Sequence, residues 1–367
     1  MAKTKSAQKL SVGILGATGM VGQRFVQLLE NHPWFEVRAV AASRQSAGKT
    51  YAEAVEGRWK YSTPIPSNTR DLIVLSVEDD VEKIKSRVDF VFSAMDMEKE
   101  AIRALEERYA SMGLPVVSNN SAHRWTPDVP MIMPEINADH LAMIPIQQKR
   151  RGWDAGFIVV KPNCSVQSYI PALEALKRFG PQKVLVSTLQ AISGAGKTFE
   201  TMPEILDNVI PFIEGEEEKS EKEPMKIWGR IEKGAFKLAT VPKISATCIR
   251  VPVADGHMAS VAVSFKTKPT RDAILQAWRN FRSPLEGLGL PSAPQKFLWY
   301  FEEDNRPQTK LDRDIGSGMG ISVGRLREDP VLGWKFVSLS HNTIRGAAGG
   351  AVLVAELLKV KGYLRAK

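Results

Sequence analysis

The chain has 367 residues, 43% of them hydrophobic, and Lys plus Arg exceed Asp plus Glu by nine (50 against 41). That length suggests two domains rather than one. The positive excess is spread along the chain, and neither Lys3, Lys5 and Lys9 nor Lys149, Arg150 and Arg151 interleaves with aromatics as a nucleic-acid surface would, so both groups read as solvated surface. Two cysteines, Cys164 and Cys248, make neither a disulfide framework nor a zinc cluster, so no metal is expected and a reduced compartment is favoured. The N-terminus is polar and no apolar run could span a bilayer, so a cytoplasmic protein with no membrane partner is expected.

Leu10–Gly16 reads as a buried strand. Met20–Glu30 reads as a helix with Val21, Phe25, Val26, Leu28 and Leu29 at helical spacing, and Glu36–Ala42 as a second strand. Apolar runs at Leu72–Val77 and Val88–Ala94, a helix over Met97–Met112 and a strand over Leu114–Ser118 continue the alternation. Such alternation implies a parallel sheet with right-handed crossovers. From about residue 158 the rhythm changes. Val184–Ile192, Thr247–Val253, Met258–Phe265, Met319–Val323 and Lys335–Leu339 read as strands with fewer helices between them. The charged segment Glu214–Glu223 reads as exposed, and Thr343–Leu364 as a helical stretch that could return to the first domain. The expected class is therefore α/β: a Rossmann-type dinucleotide-binding domain over 1–157 and 343–367, and an α+β catalytic and dimerisation domain with a mixed sheet over 158–342.

Gly16-Ala-Thr-Gly19-Met-Val-Gly22 lies between the first strand and the first helix. Glycine there permits a tight turn and a close approach of backbone N–H groups to a pyrophosphate, at the positive end of a helix. In this strand–turn–helix setting Gly16, Thr18, Gly19, Met20 and Val21 point to a dinucleotide. NAD enzymes end the second strand on an acid that bonds the ribose 2′-OH. Here the strand ends Ala41-Ala42-Ser43-Arg44, with Ser46 just beyond, while Glu36 falls at its start. Hydroxyls and a guanidinium with no opposing carboxylate favour NADP. Ser93, at the end of the Val88–Ala94 run, joins the cofactor set.

Cys164 stands in Lys161-Pro-Asn-Cys-Ser165, just before the helical pattern Tyr169–Phe179. A helix N-terminus stabilises a thiolate, and Asn163 beside it is a candidate oxyanion donor. A lone cysteine is also often an inert buried thiol, which is how Cys248, inside an alternating strand, is read. Of five histidines, His257 follows Arg250-Val-Pro-Val-Ala-Asp-Gly256, where two strands turn. Across that turn arginine and histidine can enter one cleft; the alternative is a surface histidine on a hairpin.

The Gly16–Gly22 and Pro162–Ser165 segments are followed by Gln190-Ala-Ile-Ser-Gly-Ala-Gly196, Gly215-Glu-Glu-Glu-Lys219, Arg250–His257 and His341-Asn-Thr-Ile-Arg-Gly-Ala-Ala348. In this order, from about Val12 to Leu357, they resemble the aspartate-β-semialdehyde dehydrogenases of the archaeal and fungal branch. The resemblance implies NADPH-dependent reduction of aspartyl phosphate to aspartate semialdehyde through a cysteine thioester, by a homodimer or homotetramer joined through the second domain's sheet. It implies Cys164 as nucleophile, His257 as acid/base and Gln190 as an orienting group. It places Arg250 on the substrate α-carboxylate, Glu216 on the α-amino group, Lys219 and Arg124 on phosphate with Asn120 nearby, and Ser193, Gly194 and Asn342 by the nicotinamide. Two readings compete: another acyl reductase on the same scaffold, such as a malonyl-CoA reductase, which needs no partner for an ammonium, and a non-enzymatic NADP-binding sensor, which needs no reactive thiol.

Overall fold

The computed structural model describes residues 8–367, so the surface reading of Lys3 and Lys5 lies outside the described residues. The chain divides into two compact units: Met1–Pro130 with Leu141–Lys161 and Ala351–Lys367, and Met131–His140 with Pro162–Gly350.

The first unit holds β1 (Leu10–Leu15), β2 (Phe35–Ala42), β3 (Leu75–Ser76), β4 (Phe90–Ser93), β5 (Val116–Ser118) and β6 (Ile158–Val160). All pair in parallel, in the order β3-β2-β1-β4-β5-β6. This is the doubly wound order, and its direction reverses between β1 and β4, where such sheets bind ligands beyond their carboxyl ends. A parallel sheet is covered on both faces, which is why these strands read as continuous apolar runs; all four residues of β4 are buried. The helix Met20–Leu29 buries Phe25, Val26 and Leu29, and Phe25 stacks on Phe92 at 4.5 Å. The residues of the last helix from Ala351 onward belong to this unit, where Glu356 meets His32 at 2.8 Å with both side chains buried. One surface expectation is corrected here. Arg151, in the helix Met143–Arg151, donates to both oxygens of Asp128 (2.6 and 2.7 Å) and to Glu107 (2.8 Å), so it is a half-buried brace.

The second unit holds β7 (Pro181–Gln190), a separate ribbon of β8 (Arg230–Glu232) and β9 (Ala235–Lys237), then β10 (Lys243–Arg250), β11 (His257–Phe265), β12 (Leu298–Phe301), β13 (Ile321–Asp329) and β14 (Gly333–Ser340). Its six-stranded sheet runs β10-β7-β11-β14-β13-β12. The β10–β7 and β12–β13 pairs are parallel and the others antiparallel, so the sheet is mixed, as the change of rhythm predicts. Along β7, Val184, Val186 and Thr188 are buried while Lys183, Leu185 and Ser187 point outward, the alternation of a sheet with one covered face. The helix Val166–Glu174 packs on β11 and β14, and the helix Glu216–Ile227 on β10.

Two expectations change in this unit. Arg250 and His257 do not face each other across a hairpin, because β7 lies between β10 and β11. Arg250 is in register with Gln190 and Met258 with Leu189, so Arg250, Gln190 and His257 reach the same end of three adjacent strands. The charged segment Glu214–Glu223 is not an exposed stretch either. From Glu216 it is helix, and Glu216, Ser220 and Glu223, at positions i, i+4 and i+7, are buried.

Candidate active site

In the first unit β1 enters the helix Met20–Leu29 through a turn only glycine can make. Gly16 has φ +82°, and a Cβ on it would lie 2.3 Å from the Ala94 carbonyl oxygen; one on Gly22 would lie 2.1 Å from the Gly16 oxygen. Gly19 caps the helix in extended conformation without a side-chain hydrogen bond. The first N–H groups, including those of Met20 and Val21, therefore remain for an anion. A cleft of about 270 Å³ opens beside the turn, walled by Gly16, Thr18, Gly19, Ser43, Glu78 and Met97 among others. A bare-backbone cradle at a helix start is the shape a pyrophosphate requires, so these residues fit a dinucleotide.

The far edge of this cleft differs from the sequence reading. Arg44 donates through Nε and Nη2 to the two oxygens of Asp79 (2.7 and 2.8 Å), and Glu78 lies 3.3 Å away. Carboxylates do stand here, because β3 pairs with β2 at Ala41 and Ala42 and carries the following turn to Arg44. The side chains are mostly exposed, 67% for Arg44 and 51% for Asp79, so water and salt weaken their hold on each other. Ser43 is exposed, and Ser46 is buried with its N–H on the Ser43 carbonyl. Ser93 is fully buried, and its Oγ accepts from Asn120 Nδ2 at 2.9 Å. It is committed inside the unit rather than offered to the cleft. Asn120 also donates to Glu106 (3.1 Å), a fully buried carboxyl that burial pushes up against the hydrogen bonds from Ser118, Ser93 and Asn120. Arg124 belongs to this unit too, and its Nε donates to the Lys161 carbonyl at 3.1 Å.

In the second unit Cys164 sits just ahead of the helix Val166–Glu174, with Sγ 3.3 Å from His257 Nε2. The Ala191 N–H donates to His257 Nδ1 at 3.1 Å. A neutral ring accepting at Nδ1 carries its proton on Nε2, so by this bonding the imidazole presents N–H to the sulfur. His257 is fully buried, and burial first, then the charge of Arg250, pushes its pKa down to about 3, with Glu216 opposing. The ring is thus neutral at physiological pH. Ala191 serves a second group: its carbonyl accepts from Arg250 Nη1 at 2.7 Å. Burial draws the Arg250 guanidinium down, opposed by the charges of Cys164 and Glu216.

Glu216 is the hub on the other side. Its oxygens accept from Asn163 Nδ2 (2.9 and 3.0 Å), Gln190 Nε2 (3.1 Å) and Lys219 Nζ (2.7 Å). Burial pushes this carboxyl up, but the Lys219 ammonium and the three donors outweigh it, and the net shift is downward. Of the three adjacent glutamates only Glu216 is buried at the centre; Glu217 accepts the Cys248 N–H at 3.2 Å, and Glu218 pairs with Lys222. The oxyanion role expected for Asn163 is corrected: its Nδ2 is spent on Glu216, and its Oδ1 accepts from the Ser165 N–H (2.8 Å) and Oγ (2.7 Å). It braces the loop. Cys248 is buried with its thiol raised by burial, as an inert core cysteine should be.

The loop after β7 completes the centre. Asn342 Nδ2 donates to Ser193 Oγ (2.8 Å) and its Oδ1 accepts the Gly256 N–H (2.8 Å). Gly194 lies so close to the dyad that a Cβ would stand 3.0 Å from His257 Nε2 and 3.1 Å from Arg250 Nη1. Sequence reasoning missed the backbone of Ala191, which carries no side-chain signal. It also missed Gly346, where a Cβ would lie 2.7 Å from that of Cys164. Gly346 stands inside the quoted His341–Ala348 motif and was legible there as a close-approach glycine.

Comparison with known proteins agrees in both units. The family model described as semialdehyde dehydrogenase, NAD binding domain, matches residues 11–144, and that described as semialdehyde dehydrogenase, dimerisation domain, matches residues 172–345. The chain is 43% identical to the aspartate-semialdehyde dehydrogenase of Archaeoglobus fulgidus, covering 95% of this chain and 98% of the relative. It is 42% identical to that of Aspergillus fumigatus, over 98% and 99%. Among solved structures, the aspartate-semialdehyde dehydrogenase of Candida albicans with NADP superposes with a TM-score of 0.86 at 37% identity, over 97% of this chain and all of the other.

Proposed function

The chain belongs to the aspartate-semialdehyde dehydrogenase family, and from that premise we propose how its residues divide the work. The reaction is the NADPH-dependent reductive dephosphorylation of L-aspartyl-4-phosphate to L-aspartate-4-semialdehyde, a step in the biosynthesis of amino acids such as lysine, threonine and methionine. The observation that carries the mechanism is the 3.3 Å approach of Cys164 Sγ to His257 Nε2, with Arg250 and Glu216 beside it. An amino-acid substrate brings an α-carboxylate and an α-ammonium. Arg250 has a planar fork for the first, and Glu216 a charge for the second. That pairing distinguishes this reading from a malonyl-CoA reductase, and the dyad distinguishes it from a sensor.

The Cys164 thiolate attacks the acyl carbon, and the C–O bond to phosphate breaks, leaving a thioester. The His257 Nε2–H stands ready for the oxyanion that forms on the way. When bound, NADPH supplies the hydride that reduces this thioester to a thiohemiacetal. His257 Nε2–H donates a hydrogen bond to the thiohemiacetal alkoxide, whose collapse re-forms the C=O bond and breaks the C–S bond, freeing aldehyde and thiolate. Gln190 and Asn163 hold Glu216 in place. Lys219 bonds Glu216 directly; a substrate ammonium taking that position releases Lys219 toward phosphate. Arg124 and Asn120 for phosphate, and Ser193, Gly194 and Asn342 for nicotinamide, are assigned on the resemblance alone. Gly16, Thr18, Gly19 and the N–H groups of Met20 and Val21 would hold the pyrophosphate, with Ser43, Arg44 and Ser46 for the 2′-phosphate.

The matched dimerisation domain supports an oligomer. We read it as a homodimer or homotetramer joined through the open face of the mixed sheet, where Leu185 is 49% exposed. Among the described residues no helix is long and apolar enough to cross a membrane. Two free cysteines fit a reducing cytoplasm.

The test is NADPH formation from aspartate semialdehyde and NADP, followed by absorbance with phosphate present or absent. Turnover that needs phosphate is the expected result. An equal rate without phosphate would remove the phosphorylating reading.

A further inference from the structure

Three residues on one face of the helix Glu216–Ile227 each touch a different point of the three-residue segment Asn163–Ser165. Glu216 accepts from the Asn163 side chain (2.9 and 3.0 Å). Ser220 Oγ lies 3.3 Å from Ser165 Oγ. Glu223 Oε2 accepts the Asn163 backbone N–H at 2.7 Å. The helix is fastened in turn by Tyr169, whose hydroxyl donates to the Ser220 carbonyl at 2.6 Å. Asn163 is thus gripped by a carboxylate at its side chain and by another at its backbone, and the next residue is Cys164.

Glu216 has an evident role at the reacting centre, whereas Glu223 has none in the chemistry derived above. It is nevertheless 0% exposed. A carboxyl removed from water at such a site is costly unless its hydrogen bonds repay it, and a buried N–H likewise needs an acceptor. The short Asn163 N–H contact satisfies that N–H, contributes to the carboxyl's compensation and pins the backbone beside the nucleophile. Gly346 also packs close against Cys164, since a Cβ on it would lie 2.7 Å from the Cys164 Cβ.

Resting on the reading of Cys164 as nucleophile, we propose that Glu223 is a positioning residue: by accepting the Asn163 N–H it sets where the Cys164 sulfur stands against His257 Nε2. Its loss acts on the chemical step and leaves substrate capture, which belongs to Arg250 and Glu216, largely alone.

The experiment uses the full chain with Glu223→Ala and Glu223→Gln, and reads kcat, KM for aspartate semialdehyde, the iodoacetamide rate at Cys164 and the thermal midpoint. Misplacing a reacting group by an ångström costs on the order of a hundredfold, so Glu223→Ala is expected to lower kcat by about that factor with KM changed less than about threefold. The alkylation rate should change with it. Glu223→Gln keeps an oxygen acceptor for the Asn163 N–H and should recover kcat to within about tenfold of wild type. If the alanine variant does not fold, Glu223→Asp, which withdraws the carboxylate by one methylene, replaces it with the same expected direction. A lowered thermal midpoint with unchanged kcat and alkylation in the folded protein would overturn the proposal and leave Glu223 a purely structural residue. So would a glutamine variant as impaired as alanine. Failure of the underlying reading is separable: wild-type enzyme that kept full activity after Cys164 was alkylated would dismiss the nucleophile itself.

Discussion

The nucleotide cleft and the thiol centre are built on opposite principles. The first is made of backbone: a glycine with positive φ, a bare helix start and an exposed Arg44–Asp79 pair. The second is made mainly of side chains drawn from five places along the chain, nearly all buried and tied to one another or to the Ala191 backbone. Exposed pairs trade easily with water and ions, so the cleft edge should tolerate substitution. A buried network loses more when one member goes, because its partners are left without compensation in a low-dielectric setting.

The contrast is sharpest at Arg250. Arg250→Lys keeps the charge but loses the fork that bonds the Ala191 carbonyl and faces a carboxylate. A loss of roughly tenfold to a thousandfold in kcat/KM for aspartate semialdehyde is expected, with little change in phosphate KM. Steady-state kinetics with each substrate varied in turn decides it, and equal damage to both would refute the division of labour between Arg250 and Lys219. A second prediction concerns proton state. The folded pKa of His257, about 3, lies below its ordinary value of 6.5. A depressed base contributes stability in full above pH 6.5 and loses it as pH falls toward 3. In an NMR titration, with a His257→Asn variant for assignment, its ring should therefore stay neutral from pH 8 to about 5. An imidazolium signal in that window would contradict the buried network. The smallest effect is expected at the cleft edge. Asp79→Ala releases Arg44 from its exposed partner and should change the NADP-over-NAD ratio of kcat/KM by no more than about tenfold. A hundredfold change would mean that this edge, too, behaves as a wired site.

The same contrast explains what was legible in the sequence. Gly16, Gly19 and Gly22 are close neighbours, and their spacing alone carries a physical reason, so the first unit's turn and its strand alternation could be read directly. The carboxylates beside Arg44 were not legible, since Glu78 and Asp79 arrive through the pairing of β3 with β2. Cys164 was visible through the helix start after it. His257 and Arg250 were paired for the wrong reason: strand order, not a hairpin, brings them together. The run Glu216-Glu-Glu-Lys219 looked like solvated charge because nothing local reveals that one helical face turns inward, and Glu223 was hidden by the same cause. Ala191 works only through its backbone and left no trace.

The central claim is a covalent thioester on Cys164, positioned by this buried network. Its most direct test is rapid acid quench of the enzyme with aspartate semialdehyde, NADP and no phosphate, followed by intact mass and peptide mapping, in wild type and Cys164→Ser. The account predicts an acyl adduct on the Cys164 peptide of wild type that phosphate discharges, and neither adduct nor turnover in a folded Cys164→Ser. Substantial turnover by the serine variant, or an adduct on any other residue, would contradict it.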